Sequence, residues 1–134
     1  MWAMPYNPEQ EVQRPAGRPS LVHELTITQS ILDIVTQHAA KAGAKRVTAI
    51  HLIVGELTGF VDDSIQFYFD MLSPNTLAEG AKLVIQRPAT RLRCRSCGMQ
   101  FEPEEMNWAC PDCAAQGGEV LAGREFRVES IEVE

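Results

Sequence analysis

RVTAIHLIV, residues 46–54, is the stretch that decides the fold. Its β-branched side chains and its alternating pattern predict a strand, on which every second residue points to the same face. One face comprises Thr48, Ile50, Leu52 and Val54, and the other comprises Val47, Ala49, His51 and Ile53. Because His51 lies on the less apolar face, we expect it to be partly exposed, and we assign it no metal.

An amphipathic helix is predicted before this strand. From Thr26 onward, apolar residues recur at steps of three and four, which is the spacing of one helix face. These residues are Ile27, Ile31, Ile34, Val35, His38 and Ala42. Gly43 follows where a helix end needs a left-handed residue. We expect His38 to be a packed residue near that end, where the helix dipole favours it.

A second helix is predicted after the strand and a turn that begins at Gly55. Asp63 and Gln66 have the spacing of a capping box, so we expect Asp63 to cap this helix. The residues expected on its buried side are Ile65, Phe69 and Leu72.

Two further strands are predicted, over residues 81–86 and 125–133. In the second of them the inward-facing positions shift between Val128 and Ile131, which indicates a bulge near Ser130. We expect this last strand to pair with a strand from the first half of the chain. The residues expected to share a core are Ile50, Leu52, Phe126 and Val128. The predicted fold class is α+β, with two helices on a small three-stranded sheet and an inserted zinc-hairpin module.

The four cysteines form the most specific pattern in the chain. They are Cys94, Cys97, Cys110 and Cys113, two CxxC pairs separated by twelve residues. Each CxxC turn can give two thiolates to one ion, and two such turns close a tetrahedral zinc shell. Because four thiolates leave no open position, we expect structural zinc in this cysteine module, residues 89–123. Rubredoxin-like iron and a thiol redox site are the alternatives.

Composition and charge narrow the class of protein. A net charge of −6 over 134 residues disfavours nucleic acid as the partner, because neutralising phosphates needs a basic surface. A zinc ribbon that binds nucleic acid or protein remains the alternative function, because four arginines flank the first CxxC pair. They are Arg87, Arg91, Arg93 and Arg95. No apolar run approaches the ~18 residues of a membrane helix. We therefore expect a cytoplasmic protein without a membrane partner.

Three regions are predicted along the chain. Residues 1–21 hold four of the eight prolines and show no apolar periodicity, so we expect a disordered leader. Residues 22–88 and 124–134 would form the α+β domain, and the cysteine module would lie between its two parts.

The combined motifs resemble the HypA/HybF family, nickel metallochaperones of [NiFe]-hydrogenase maturation. The resemblance rests on the His-Glu-Leu start of the first helix, Gly-Glu-Leu after the first strand, "LAEGAKLVI", the CxxC pairs and "GREFRVESIEVE". It covers the chain from residue 22 onward. It implies a nickel site at His23 and Glu24, which Asp62 or Asp63 could approach. Amine, amide and imidazole nitrogens suit square-planar Ni(II).

The resemblance also implies a cargo and partners. Ni(II) would be received and passed to the hydrogenase large subunit, with the GTPase HypB as partner and urease maturation proteins as further candidates. No enzymatic activity is expected, because the sequence offers no nucleophile–base pair and no phosphate loop.

The start of the chain departs from the family pattern. In the family a terminal amine next to the histidine is a nickel ligand. Here Val22 occupies the position of the methionine, and twenty-one residues precede it. We expect Val22 to be the true start, encoded by a GTG codon that is read as Met.

Overall fold

The computed structural model describes residues 2–3, 21–104 and 107–134. Its elements in chain order are β1 (Trp2–Ala3), α1 (Leu21–Lys41), β2 (Val47–Val54), α2 (Asp62–Leu72), β3 (Lys82–Gln86), β4 (Arg91–Arg93), β5 (Gln100–Phe101), β6 (Glu119–Ala122) and β7 (Phe126–Val133). A 3-10 turn, Glu56–Thr58, joins β2 to α2. The α+β class is confirmed. No helix within the described ranges is long and apolar enough to cross a membrane.

The main sheet is built on β2, with the strand order β1-β7-β2-β3. β2 pairs parallel with β3 and antiparallel with β7. Ile50 lies opposite Ile131, and Leu52 lies opposite Val128. Phe126 belongs to the same apolar core. The expected pairing of the last strand with the first half of the chain is therefore confirmed.

The predicted bulge is present in β7. Ser130 lies opposite His51, whereas the next residue of β2, Leu52, lies opposite Val128, so that Glu129 is the extra residue. Because of this extra residue, Val128 and Ile131 both face the core, where each exposes 1% or less of its surface.

Both helices pack on one face of this sheet. The helix residues buried with Ile50 and Leu52 include Ile27, Ile31 and Val35 of α1 and Ile65 and Phe69 of α2. Gly43, which follows α1, has a φ of 70°, as the predicted helix end requires. His38 is partly buried in the last turn of α1.

The start of α2 differs from the prediction. The N-cap residue is Val61 and no side chain caps the helix, so Asp63 is not a capping residue. Asp62 instead pairs with Arg87, whose guanidinium lies 2.7 Å from the Asp62 carboxylate. The capping-box pattern is local, whereas this turn is held by an arginine 25 positions away in the sequence.

The two helices begin at the end of the sheet where the cysteine module is attached. α2 follows the end of β2 that pairs with Phe126, the first residue of β7. α1 ends before the opposite end of β2, where the Lys45 amide donates to the Glu134 carbonyl beyond β7. The helices therefore run in the same direction, and Glu24 in the first turn of α1 lies toward the module end of the domain.

The cysteine module has a sheet of its own, with the strand order β5-β4-β6. The sequence predicted only a hairpin there. The three strands are two to four residues long, which is too short for a period of two to be recognised.

Both ends of the cysteine module meet at the 3-10 turn after β2. The Leu57 amide donates to the Gly123 carbonyl over 2.7 Å. Thr90 donates its amide and its hydroxyl to the Glu56 carboxylate, each over 3.1 Å. As expected, the two ends lie together: a Cβ added to Gly123 would be 3.2 Å from the Thr90 Cα.

Gly55→Ala is expected to lower the free energy of unfolding by about 3 kcal/mol, the upper end of what overpacking typically costs. A Cβ at Gly55 would lie 2.2 Å from the Gly123 carbonyl oxygen, so the attachment of the module would have to shift. Gly43→Ala is the control, because nothing lies within 4 Å of the added Cβ. Its left-handed backbone should cost only about 1–2 kcal/mol. Equal losses in urea denaturation would contradict the steric argument.

Most of the predicted leader, residues 1 and 4–20, lies outside the described residues. Trp2–Ala3 pair antiparallel with Ile131 and Ser130, and Leu21 is already the first residue of α1. At these positions the structure differs from the expected disordered leader. A physical reason is available, because β7 would otherwise present an unpaired backbone edge.

Candidate metal centres

The two CxxC pairs form turns of the same kind. In each turn the carbonyl of the first cysteine accepts a hydrogen bond from the amide four residues later, Gly98 for Cys94 and Ala114 for Cys110. Both of these later residues are left-handed, with φ of 78° at Gly98 and 63° at Ala114. Gly98 adopts this conformation at little cost because it has no Cβ. Ala114 adopts the same conformation although it has a Cβ, at a cost of about 1–2 kcal/mol.

The four sulfur atoms come together in one cluster, all within 4.8 Å of one another. Cys94 and Cys113 are 3.5 Å apart at their sulfurs, and Cys97 and Cys110 are 3.6 Å apart. Four thiolates around a zinc ion at 2.3 Å would have sulfur–sulfur distances of about 3.8 Å. The described residues therefore fit a tetrahedral four-thiolate metal site, which is the arrangement that the sequence predicted.

A small apolar core supports this cluster from one side. Its buried members are Leu92, Cys94, Phe101 and Cys110. Trp108 packs against them and is partly buried. Cys97 and Cys113 are exposed. Each turn thus places one sulfur in the core and one at the surface.

The electrostatics of the cluster favour a cation. The backbone amides of Cys97 and then Ser96 donate to the Cys94 sulfur and lower the pKa of this thiol to about 6. At Cys97 the Met99 amide acts in the same direction, but burial of the sulfur and hydrogen bonds with the other thiols raise its pKa to about 12. Thiolate is the metal-binding form, and a bound cation replaces the protons that the crowded sulfurs otherwise retain.

Glu24, a predicted nickel ligand, is the other candidate metal ligand whose side chain the structure describes. It lies in the first turn of α1 and exposes only 7% of its surface. Its Oε2 atom has no hydrogen-bond partner among the described residues. Leaving such an acceptor buried and unpaired costs about 1–3 kcal/mol, and more for a charged group. A buried oxygen of this kind requires an explanation, and an ion is one of the few available.

His23 precedes Glu24 in the same helical turn. The position of its side chain lies outside the described residues, as does that of Val22. The combination of His23 and Glu24 in one nickel site therefore stays a prediction.

Two long-range contacts near this end of the domain were not foreseen from the sequence. Arg87 binds Asp62 and also donates to the Phe60 carbonyl. Glu56 binds Thr90 at the start of the cysteine module. Glu56 belongs to the Gly-Glu-Leu motif, so its position could be recognised in the sequence. Its partner, 34 residues further on, could not.

The remaining polar candidates have ordinary roles. Arg93 lies 3.7 Å from Glu119 across the module sheet, and both side chains are about half exposed. His51 is partly exposed, as expected, and its Nε2 lies 3.2 Å from a Glu132 carboxylate oxygen. His51 is not part of the metal-ligand cluster of the described residues.

Comparison with known families gives a match over most of the chain. A family model described as a hydrogenase/urease nickel incorporation metallochaperone, HypA, matches residues 22–133. A hydrogenase maturation factor HypA from Caldanaerobacter subterraneus subsp. tengcongensis is 43% identical over 114 residues, 84% of this chain and 100% of the relative. The factor of the same name from Dehalococcoides mccartyi is 42% identical over 113 residues, 84% of this chain and 95% of the relative.

Two solved structures have a similar fold. The solution structure of the Ni metallochaperone HypA from Helicobacter pylori matches with a TM-score of 0.59 at 21% identity, covering 82% of this chain and 96% of that one. The solution structure of another HypA protein matches with a TM-score of 0.66 at 23% identity, covering 84% and 97%. At these identities the likeness concerns the fold, which agrees with the architecture described above.

Proposed function

The chain belongs to the HypA family of hydrogenase and urease nickel-incorporation proteins, and from this premise we propose that it carries Ni(II) to the large subunit of [NiFe]-hydrogenase. The single observation that carries the proposal is the buried Oε2 atom of Glu24 at the start of α1, which has no hydrogen-bond partner among the described residues. Together with His23, it would hold the ion during transfer.

The chemistry of the two residues supports this assignment. Imidazole nitrogen suits Ni(II), and the carboxylate adds charge compensation. A divalent cation would give the Glu24 oxygen the partner that the described protein groups do not provide. The helix N-terminus favours the negative side chain but opposes a cation, which helps the cargo to leave again.

In this proposal the four cysteines hold zinc, and that zinc is structural. Zinc accepts four thiolates in a tetrahedron, and the closed shell leaves no position for a substrate. Its contribution is folding free energy for the cysteine module. Iron at the same sulfurs is the metal alternative, and it would be recognised by visible absorption and by metal analysis.

The partners follow from the proposed transfer. We assign the GTPase HypB as the assisting partner and the hydrogenase large subunit as the acceptor, with urease maturation proteins as further recipients and the cytoplasm as the location. Moving an ion between ligand sets breaks no covalent bond, so the proposal contains no catalytic residue.

Glu24→Leu is expected to weaken nickel binding about tenfold or more, on the scale of losing a supporting group of a metal site. The same change should raise the free energy of unfolding by about 1 kcal/mol, because it removes a buried acceptor that lacks a partner. Nickel titration and urea denaturation measure the two effects. Asp33→Asn, an exposed carboxylate of the same helix, is the control. A Glu24 variant that lost stability and kept its nickel affinity would show a structural role.

Delivery is tested in a host that lacks its own family member and grows on trace nickel. The wild-type chain and Asp33→Asn should restore hydrogenase activity, whereas His23→Ala and Glu24→Leu should restore it only when excess nickel is supplied. Full activity from both site variants at trace nickel would refute the proposed delivery site.

A further inference from the structure

α2 and its N-cap carry most of the exposed large apolar side chains among the described residues. Five large apolar side chains are exposed among the residues whose burial the structure describes, and three of them belong to α2 and its N-cap. Phe67 is 63% exposed, Val61 54% and Met71 53%. We call these three residues the outer face of α2. Phe67 and Met71 are four residues apart and therefore lie on the same side of the helix.

The aromatic ring on this face has a defined position. Phe67 contacts the edge of Tyr68, with ring centroids 5.3 Å apart and an interplanar angle of 79°. The buried residues of the helix, Ile65 and Phe69, belong to the domain core on another side. The outer face is thus a second apolar surface of α2, separate from the side that packs into the domain core.

The chain segment that carries the outer face has acidic but no basic side chains. No Lys, Arg or His occurs in residues 55–81. The acidic residues in that range are Glu56, Asp62, Asp63, Asp70 and Glu79. Asp62 is neutralised by Arg87 and Glu56 binds Thr90, but Asp63 and Asp70 remain exposed. They lie four residues before and three residues after Phe67, so both are its neighbours on the helix surface.

We propose that the outer face of α2 docks an amphipathic, cationic helix of a partner protein. Apolar side chains of the partner would cover Phe67 and Met71, while its Lys or Arg residues would face Asp63 and Asp70. Helix-on-helix docking of this kind uses apolar anchors one turn apart, which is the spacing present here. The charges would fix the orientation and accelerate the encounter.

A second copy of this chain fits the same face poorly. Pairing two outer faces would bring aspartates toward aspartates. The three apolar side chains expose on the order of 300 Å², if a large side chain presents about 150–250 Å² when fully exposed. A stable interface buries about 800 Å² per partner. The acidic charge and the small apolar area of the outer face therefore both favour a transient contact with a cationic helix.

The proposal is tested with the full zinc-loaded chain and two synthetic 18-residue helices. Both peptides carry leucine at helical spacing, and their polar faces are all lysine or all glutamate. The lysine peptide should bind with an affinity at least tenfold higher than the glutamate peptide, and amide chemical shifts should change mainly within residues 61–71. No nickel is present, so the result is independent of the proposed nickel site.

Matched variants separate docking from general charge attraction. Phe67→Ser and Met71→Ser should each weaken lysine-peptide binding about tenfold, as loss of an anchor does. Met99→Ser, at an exposed apolar residue of the cysteine module, should have no effect. Asp70→Asn should weaken binding and reduce its salt dependence. Asp33→Asn should not, although Asp33 accepts the same kind of hydrogen bond from Gln29 that Asp70 accepts from Gln66.

Three results would overturn the proposal. The first is equal binding of the two peptides, and the second is unchanged binding in the Phe67 and Met71 variants. The third is a concentration-dependent dimer that Phe67→Ser abolishes in sedimentation, which would assign the outer face to a second copy.

Discussion

Cys110→Ala and Cys97→Ala are each expected to unfold the cysteine module while the helices of the α+β domain stay folded. A structural zinc site contributes on the order of 10 kcal/mol to the folding of a small module. Among the described residues, the apolar core of the module has four buried members, two of them cysteines, and so small a core cannot replace that contribution. Each variant removes one of the four sulfurs of the cluster.

The two cysteine variants show whether bound metal or apolar packing keeps the module folded. Cys110 is buried and Cys97 is exposed, so a module held mainly by packing would tolerate the loss of Cys97. Zinc analysis gives the stoichiometry, and amide exchange compares residues 89–123 with residues 47–54. Ser96→Ala, at an exposed non-ligand position of the first turn, is the control. A Cys97→Ala protein that retained one tight zinc ion and a protected module would refute the structural assignment.

His23→Ala is expected to abolish high-affinity nickel binding, and the affinity should also depend on where the chain begins. In a form that begins at residue 22 as Met, the amine, the His23 amide and the His23 imidazole can form fused chelate rings around Ni(II). Donors on one short segment need little ordering, which lowers the entropic cost of binding. In the 134-residue form the amine is replaced by a peptide nitrogen, a much poorer donor. The shorter form should therefore bind nickel more tightly.

Nickel titrations of both forms and of their His23→Ala variants test this expectation. The loss on substitution should exceed the 10–100-fold that removal of a mere supporting group costs. Binding should weaken as pH falls, because protons compete for imidazole and amine. His38→Ala is the matched control, since His38 lies on the same helix at its other end. Equal affinity in all forms would place the nickel site elsewhere.

The parts of the fold that depend on local pattern were predictable. β2 is rich in β-branched residues over its eight positions, and α1 repeats its apolar positions over about four turns, so neighbouring residues alone reveal each element. The bulge near Ser130 was visible for the same reason, because it shifts the alternation within one strand. The cysteine cluster was predictable because CxxC spacing encodes the turn as well as the ligands.

The parts held by distant residues were not predictable. Asp63 has the spacing of a helix cap, yet the turn before α2 is held by Arg87. Glu56 follows β2 in the Gly-Glu-Leu motif, but only the fold brings it to Thr90. The burial of the Glu24 Oε2 atom without a partner among the described residues is likewise a property of three-dimensional packing.

The meeting of the two ends of the cysteine module has a kinetic consequence. β7 must find β2 across residues 55–125, and the cysteine module supplies residues 89–123 of that separation. When metal closes the module, these residues act as a short rigid link, which about halves the flexible separation between β2 and β7. Without metal they form a flexible loop, and since each doubling of loop length costs about 0.6 kcal/mol, closure becomes about 0.6 kcal/mol harder. The supply of one metal would then set how fast newly made chains become competent to carry another.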